Sequence, residues 1–329
     1  MNVTIKAVAK AAGVSVGTVS HVLNHPDRVA RDKRLRVERA VKELGYIPSE
    51  AGQRLRKGSS QFVGVLVLDI ANPFFAQASE SIEEALAERG YYPMILSYRG
   101  DAERELAIMR MLASQQVHGL IVTPSDYTVE NLEKLAVFKG KVVFMDSPPV
   151  EEAVPTVSSD DVSGARKAIA YLNRMGHQNL GFINGPNHIR QARDRREGVR
   201  QELRGGNISV TEVNARTFGV KSGHEALKDL LKKNPNISAV FCASDQLSIG
   251  AIRAMRELGR KVPEDISIVG YDDIDIATDL TPALSTIRQP MEQIGRTSVD
   301  LLFEDDEQAR HVVYSPTLIE RDSVRRISV

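Results

Sequence analysis

Residues 4–24 read TIKAVAKAAGVSVGTVSHVLN, and their apolar spacing predicts two short helices joined by a turn. The apolar residues recur three and four positions apart on both sides of Gly13, which interrupts the pattern. Thr4 and Ser15 stand where helix N-caps are expected, because a hydroxyl group can accept an unpaired N–H of the first turn. Two short helices around a glycine turn form a candidate helix–turn–helix. The pattern alone leaves a small helical bundle with solvated charges as the alternative.

The helical pattern continues as far as residue 60. A third helix is predicted from about Arg31 to Leu44, with Leu35 and Leu44 on its inner face, and Gly45 ends it. Another short helix is expected over residues 49–56.

Charge is distributed unevenly along the 329 residues. The chain has 43 basic and 43 acidic side chains, but residues 1–60 carry 12 basic and 5 acidic ones, a net charge of +7, and the rest carries −7. A basic segment attached to an acidic body is typical of a polyanion-binding module joined to a second domain. The helix–turn–helix candidate lies in the basic segment, which favours DNA as the polyanion.

From Gln61 onward, apolar runs alternate with amphipathic segments of helical length. The run over residues 62–68 is continuously apolar, as expected for a strand covered on both faces. Strand and helix then alternate in two sets, over residues 62–145 and 162–269. This alternation predicts an α/β core of two lobes with parallel sheets. Ligands bind at the carboxyl ends of such strands, so the cleft between the lobes is the expected ligand site.

Several classes of protein are not supported by any motif. The single cysteine, Cys242, lies in an apolar run and predicts a buried thiol, without disulfides or a cysteine-rich metal site. Residues 13–17 match G-x-S-x-G, but no strand precedes them as a nucleophile elbow requires. We expect no enzyme activity, cofactor or metal. No export signal or apolar run of 18 residues is visible, so we expect a cytoplasmic protein without a membrane partner.

Residues 4–24 closely resemble the N-terminal signature of the LacI/GalR family of bacterial transcriptional regulators. Further segments resemble the family in matching order, namely residues 43–48, 72–75, 262–273 and 286–290. The resemblance implies an all-α helix–turn–helix headpiece over 1–48, a hinge helix and linker over 49–60, and a core over 61–329 like periplasmic sugar-binding proteins. The first lobe would comprise about 61–160 plus 288–319, and the second about 161–287 plus 320–329.

The resemblance also implies a homodimer that binds palindromic operator DNA. By position, Val16, Gly17 and His21 would face the bases, and His21 is the main candidate for hydrogen bonding. Leu55 matches the leucine that wedges into the minor groove, flanked by Arg54 and Arg56. The remaining expected DNA contacts are Thr4, Ser15, Thr18, Ser20 and Asn24.

The effector site implied by the resemblance lies in the interlobe cleft. Its polar residues suit vicinal hydroxyl groups, and its phenylalanines suit the apolar face of a sugar ring. The expected residues are Asn72, Phe74, Phe75, Ser125, Asp126, Arg195, Phe218, Ser244, Asp245, Asp272 and Gln289. The same residues suit a purine base or nucleoside, and a transporter-linked solute-binding protein is a more distant alternative. Whether the effector is an inducer or a corepressor stays open, as does an oligomer larger than the dimer.

Overall fold

The computed structural model describes residues 3–46, 60–124, 138–147, 154–204, 206–304 and 310–327. The chain forms two compact units, residues 1–60 and 61–329. The boundary coincides with the change from basic to acidic composition and from short helices to alternating strands and helices. Within the described residues, no helix is both long and apolar enough to cross a membrane.

The headpiece has three helices around a small apolar core within its described residues, 3–46. Val8, Val19 and Val37, one from each helix, have no exposed surface. The turns between helices follow the predicted chemistry, because Gly13 and Gly45 take left-handed φ angles of 63° and 60° that other residues adopt only with strain. The helices are α1 (Ile5–Ala12), α2 (Val16–Asn24) and α3 (Arg31–Leu44), with a 3₁₀ turn over Pro26–Arg28.

The predicted inner face of α3 is wrong at two positions. Leu35 is 53% exposed and Leu44 is 37% exposed, whereas Val37 and Ala40 are buried. The headpiece is too small to cover every apolar residue of a 14-residue helix, so only the stripe facing α1 and α2 is buried.

The first lobe is built on a six-stranded parallel sheet with strand order β11–β5–β4–β3–β1–β2. Residues Val63–Val67 of its first strand are buried without interruption, as the continuous apolar run predicts. The sequence pattern missed β5, which is short and rich in hydroxyl side chains. The elements are β1 (Phe62–Val67), α4 (Pro73–Ala87), β2 (Tyr92–Ser97), α5 (Ala102–Ser114), β3 (Gly119–Val122), β4 (Lys141–Met145), β5 (Thr156–Ser159) and, later in the chain, α11 (Met291–Phe303) and β11 (His311–Tyr314).

The second lobe repeats this architecture with strand order β12–β10–β9–β8–β6–β7. All its pairs are parallel except β10 with β12. The elements are α6 (Asp161–Arg174), β6 (Asn179–Asn184), α7 (Arg190–Glu202), β7 (Ser209–Asn214), α8 (Val220–Lys233), β8 (Ala239–Cys242), α9 (Asp245–Glu257), β9 (Ser267–Asp272), α10 (Ile276–Asp279), β10 (Ser285–Arg288) and β12 (Thr317–Ile319).

The chain crosses between the lobes three times, after β5, after β10 and after β11. After β10 it returns to the first lobe, where α11 packs its buried face, including Ile294 and Val299, into the apolar core. The predicted lobe boundaries differ from the pairing at one point. Residues 317–319 were expected in the first lobe, but they pair antiparallel with β10 in the second. Two short strands of different sheets, β11 and β12, flank this crossing.

Candidate functional site

One face of α2 is exposed and the other is buried in the headpiece. Val19 and Val22 point into the core, whereas Val16 is 39% exposed and Gly17 and His21 are also exposed. The exposed residues are those expected to face DNA bases. A glycine and a valine leave the helix surface with little bulk beside His21, which allows close approach to a groove.

The expected phosphate contacts take part in helix capping. The Thr4 hydroxyl accepts from the Ala7 amide at 3.3 Å, and the Ser15 hydroxyl accepts from the Thr18 amide at 3.1 Å. The Ser15 and Thr18 hydroxyl oxygens are 2.9 Å apart. At the other end of α2, the Asn24 amide donates to the Ser20 carbonyl. Thr4 and Ser15 therefore fix the N-termini of α1 and α2, respectively, and both residues are exposed. Thr18, Ser20 and Asn24 are half-buried.

The hydrogen bond of His21 determines which ring nitrogen carries the proton. Its Nδ1 lies 3.2 Å from the Gly17 carbonyl oxygen, and a carbonyl oxygen can only accept. Nδ1 is therefore the donor in this geometry. In the neutral ring, Nε2 is then an acceptor, and it becomes a donor only when the imidazole is protonated.

Five expected site residues lie outside the described residues. They are Arg54, Leu55 and Arg56 of the hinge, and Ser125 and Asp126 after β3.

The two lobes enclose a small pocket at the carboxyl ends of their strands. It brings together seven of the expected effector residues, three from the first lobe and four from the second. Its volume is about 40 Å³, room for water but not for a sugar ring in this conformation. The lining residues are Leu68, Asn72, Phe74, Phe75, Asp146, Ile189, Gln191, Arg195, Phe218, Ser244 and Asp272.

A larger cavity of about 540 Å³ shares part of this lining. Asn72, Phe75, Ile189 and Phe218 border both spaces. The larger cavity adds polar groups that the sequence did not single out, among them Asp69, Arg99, His188, Arg216 and Gln246. The cleft therefore consists of the small pocket, called the inner pocket below, and a wider mouth.

The aromatic residues of the inner pocket are held by their own packing. Phe74 and Phe75 meet edge to face with ring centroids 4.9 Å apart, and both are 4% exposed. They belong to the first-lobe core and to the pocket wall at once. Opposite them, Phe218 packs against Gly185, where a β-carbon would lie 2.2 Å from the Phe218 ring. Gly185 thus leaves the space that the Phe218 ring occupies.

Arg195 is the centre of a buried charge network in the second lobe. Its Nε donates to Asp161 at 2.9 Å, Nη1 donates to the Ala243 carbonyl, and Nη2 lies 3.8 Å from Asp272. The guanidinium also stacks over Tyr271, 3.8 Å from the ring centroid. Burial works to lower the pKa of Arg195, but Asp161, Tyr271 and Asp272 outweigh it and raise that pKa. With an exposure of 4%, Arg195 is buried.

Two carboxyl groups at the inner pocket have strongly raised pKa values. Burial raises the pKa of Asp272 to about 7, although Arg195 and the amide of Gln289 act against the shift. Burial also raises the pKa of Asp146 to about 7, opposed first by Arg190. Both groups are therefore poised to change charge near neutral pH, or to keep their charge when a ligand supplies additional hydrogen-bond donors.

The backbone at Asp272 is strained. Asp272 has a φ angle of 113° and Asp273 one of 57°, in a region that non-glycine residues rarely adopt. The neighbouring Asp273 forms ion pairs with Arg288 at 2.6 Å and Arg321 at 2.7 Å. These pairs tie the end of β9 to the segments that lead into and out of the crossovers, and so hold the Asp272 carboxylate at the cleft.

Three of the expected effector residues differ in their position relative to the inner pocket. Ser244 lines the inner pocket, caps α9 and donates to the Phe218 carbonyl at 3.0 Å. Gln289 lies behind the wall, where its amide donates to Asp272 at 2.8 Å. Asp245 is fully buried in the second lobe and accepts from Thr286 at 2.6 Å and from the Ile274 amide at 2.9 Å. Asp245 thus lies in an internal network and not on the walls of the two cavities described above.

Sequence reasoning missed Asp146, Arg190 and Gln191. Asp146 follows β4 directly, and Arg190 and Gln191 begin α7, which follows β6. The carboxyl end of a parallel strand is where ligand sites form, so the position of Asp146 was a usable signal. Arg190 and Gln191 gave no such signal, because only the tertiary structure brings them to the first lobe.

The fold and the site together define a class of protein. The chain has a helix–turn–helix headpiece and a two-lobed core with a buried interlobe pocket, a combination typical of DNA-binding regulators that are controlled by small molecules. The comparisons with known proteins agree with this class. Residues 4–49 match the model of the bacterial regulatory proteins of the lacI family, and residues 169–324 match the periplasmic binding protein-like domain.

Similar proteins cover nearly the whole length of the chain. The HTH-type transcriptional repressor PurR of Photorhabdus laumondii is 35% identical over 98% of this chain and 96% of its own. A lac repressor dimer bound to operator and the anti-inducer ONPF is 28% identical, with a TM-score of 0.86 over 99% of this chain and 100% of its own. A complex of the transcriptional regulator CelR with cellobiose is 31% identical, with a TM-score of 0.72 over 98% and 100%.

The chain belongs to the lacI family of bacterial regulatory proteins. It is a DNA-binding transcriptional regulator, and its curated relatives are repressors. The predicted family and fold class are confirmed.

Proposed function

We propose that this protein is a homodimeric repressor that binds a palindromic operator and is controlled by a small molecule in the interlobe cleft. The observation that carries the proposal is the combination of an exposed α2 face on a basic headpiece with a buried, charged pocket between two lobes. A dimer with two-fold symmetry would place two α2 helices on two operator half-sites. Such a protein would act in the cytoplasm, where bacterial DNA lies.

In the proposed complex, α2 lies in the major groove with Val16, Gly17 and His21 toward the bases. Thr4, Ser15, Thr18, Ser20 and Asn24 would lie near the phosphates, where exposed Lys6 and Lys10 add positive charge. Leu55 would wedge into the minor groove, with Arg54 and Arg56 on the phosphates.

The effector that the inner pocket supports best is a sugar-like molecule. Asp272, Asp146 and Asn72 offer groups that bind vicinal hydroxyls, Arg195 adds positive charge, and Phe218 offers a ring face. The similarity to a regulator that binds cellobiose supports this class. A purine base or nucleoside is the second candidate, because Phe74 and Phe218 lie on opposite walls and suit a flat ring. Ser125 and Asp126 are proposed as further contacts.

The proposed mechanism couples the cleft to DNA through movement of the lobes. Closure around an effector would change the spacing of the two hinge segments in a dimer, and thereby the operator affinity. The coupling requires an effector that binds the two arrangements with different affinity. The sign of the coupling follows from measurement of operator affinity with and without effector.

The DNA-binding proposal is tested by selecting binders from random double-stranded DNA with the full chain. We expect enrichment of a palindrome, and affinity for it that falls steeply with salt. The His21→Ala variant should lose about tenfold in affinity, since one base contact contributes about 1–3 kcal/mol of discrimination. Lys233→Ala, which removes an exposed charge in the second lobe, is the control and should bind as the wild type does. Selection without any enriched sequence would refute the proposal.

The effector class is tested separately by thermal shift with sugars, nucleosides and purines. A ligand at about 100 times its Kd stabilises the protein by about 2.7 kcal/mol. The Asp272→Asn variant should lose the shift with the ligand that the wild type binds. If none of these compounds shifts the wild type, the proposed effector chemistry is wrong, and the DNA-binding proposal is unaffected.

A further inference from the structure

The two lobes are joined directly by polar side chains at the inner pocket. Asp146 lies at the end of β4 in the first lobe, and Arg190 and Gln191 begin α7 in the second. The Gln191 amide donates to the Asp146 carboxylate at 2.6 Å and to the Asp146 main-chain carbonyl at 3.2 Å. Arg190 donates to the same carbonyl at 3.0 Å, and its guanidinium lies 3.6 Å from the carboxylate.

This contact is buried and oriented by further charges. The side chains of Arg190 and Asp146 are 9% and 4% exposed. Arg190 also lies 3.7 Å from Asp161 and forms an ion pair with Asp194 one turn along α7. Arg190 is thus held by second-lobe carboxylates while it reaches the first lobe. A second polar contact between the lobes, from Gln77 to Asp275 at 3.1 Å, is exposed and so contributes less.

The contact forms part of the inner pocket wall. Asp146 and Gln191 line the pocket together with Asn72 and Arg195. With the lobes in this arrangement the pocket has about 40 Å³, which excludes a sugar ring or a purine. A ligand of that size fits in the mouth of the cleft but enters the inner pocket only when the lobes separate or the wall side chains move.

Burial of Asp146 makes its contacts with Gln191 and Arg190 important for the stability of the closed arrangement. A buried carboxylate is destabilising unless hydrogen-bond donors surround it. Gln191 and Arg190 supply such donors only while the lobes are together, and separation of the lobes replaces them with water. Because all these groups belong to the chain, the contact needs no effector in order to form.

We propose that Arg190 and Gln191 form, with Asp146, an interlobe clasp that holds the lobes together without effector and must release before an effector enters the inner pocket. In this role Gln191 and Arg190 are positioning residues that set the closed-to-open ratio of the core. The inference rests on the proposed function only in treating lobe movement as the regulatory change.

The clasp is tested by measuring the distance between the lobes in the full chain, without DNA or added ligand. Spin labels are placed on Arg110→Cys in the first lobe and Lys233→Cys in the second, both on exposed helical positions. The native Cys242 is buried and does not compete for label. Labelled chains are diluted with unlabelled ones, so that distances within one protomer dominate.

We expect one dominant short distance in the wild type. Gln191→Ala should shift the distribution toward longer distances, with a loss of about tenfold in the closed-to-open ratio, as for a hydrogen bond to a charged group. Gln191→Glu should shift the distribution further, because the new carboxylate would lie against that of Asp146. Gln201→Ala is the matched control, since this glutamine lies on the same helix and donates within it, to Glu197. It should leave the distribution unchanged.

The kinetics of ligand entry give a second readout, with the compound found by thermal shift as the probe. The association rate should rise in Gln191→Ala and stay unchanged in Gln201→Ala. A wild type with predominantly open lobes would overturn the proposal. So would Gln191→Ala and Gln191→Glu proteins that are folded by circular dichroism and retain the wild-type distances. Neither result bears on DNA selection, so failure of the clasp and failure of the proposed function are distinguishable.

Discussion

Replacement of Arg195 by methionine tests how far the buried charge network stabilises the second lobe. Methionine has a similar length but neither charge nor donors. The substitution leaves Asp161, which is 1% exposed, without its 2.9 Å donor, and Asp272 without its nearest cation. It also removes the donor to the Ala243 carbonyl. Removal of one partner from a buried ion pair is strongly destabilising, because a buried charge is left without compensation.

The loss of stability expected for Arg195→Met depends on pH. Breaking a buried pair costs about 3–5 kcal/mol, and we expect about 3 kcal/mol at pH 8, the lower end of that range. The loss is limited because the Asp272 carboxyl can take up a proton, since its pKa is already raised to about 7. Proton uptake is easier at pH 6, so the loss of stability should be smaller there than at pH 8. For a core of this size, about 2 °C per kcal/mol corresponds to a fall in Tm of about 6 °C.

The assay is urea unfolding followed by far-ultraviolet circular dichroism, since the chain has no tryptophan to report on the core. Arg200→Met is the control, because Arg200 is exposed on the same helix, and its effect should stay within about 0.5 kcal/mol. Arg195→Lys should be intermediate, since one ammonium group cannot reach three acceptors. If Arg195→Met unfolds within about 1 kcal/mol of the wild type at pH 8, the network does not depend on Arg195 as described.

Two further predictions concern the headpiece and the pH dependence of the core. Ser15→Ala removes the N-cap of α2 and should weaken hydrogen-exchange protection of the α2 amides by about 1 kcal/mol; unchanged protection would contradict the capping role. Because burial raises the pKa of Asp272 from 3.8 to about 7, its contribution to stability is complete below about pH 4 and is lost as the pH rises through 7. An asparagine side chain does not titrate, so Asp272→Asn should gain stability relative to the wild type between pH 6 and pH 8, measured by urea unfolding. The control is Asp229→Asn at an exposed site, whose stability relative to the wild type should be the same at pH 6 and pH 8. If Asp272→Asn also shows the same relative stability at both pH values, the reasoning is wrong.

Local chemistry made the headpiece predictable. Thr4 and Ser15 cap the helices, Gly13 and Gly45 end them, and the predicted bounds of α3 are those observed. Each of these features depends on residues within one helical turn, so the sequence contains all the information needed. The predicted burial of Leu35 failed because burial depends on how much surface α1 and α2 cover, which is a property of the packed headpiece.

The cleft was predictable in part. Asn72 and Asp272 lie at strand ends, where parallel sheets bind ligands, and both line the inner pocket. Asp245 also follows a strand, but Thr286 and the Ile274 amide from other elements turn it into an internal acceptor. The position of a carboxylate in the sequence does not say which donors the fold brings to it.

The sequence by itself determined the class of protein, the two-unit organisation of charge and the repeated strand–helix pattern of the core. These are set by local spacing, by composition and by a long signature at residues 4–24. Only the tertiary structure decided that Arg195 is buried between Asp161 and Asp272, and that Arg190 and Gln191 reach Asp146 from the other lobe. The physical reason is that a side chain's burial and its partners arise from long-range packing. In a chain that crosses three times between two lobes, those partners lie 34 to 77 residues apart.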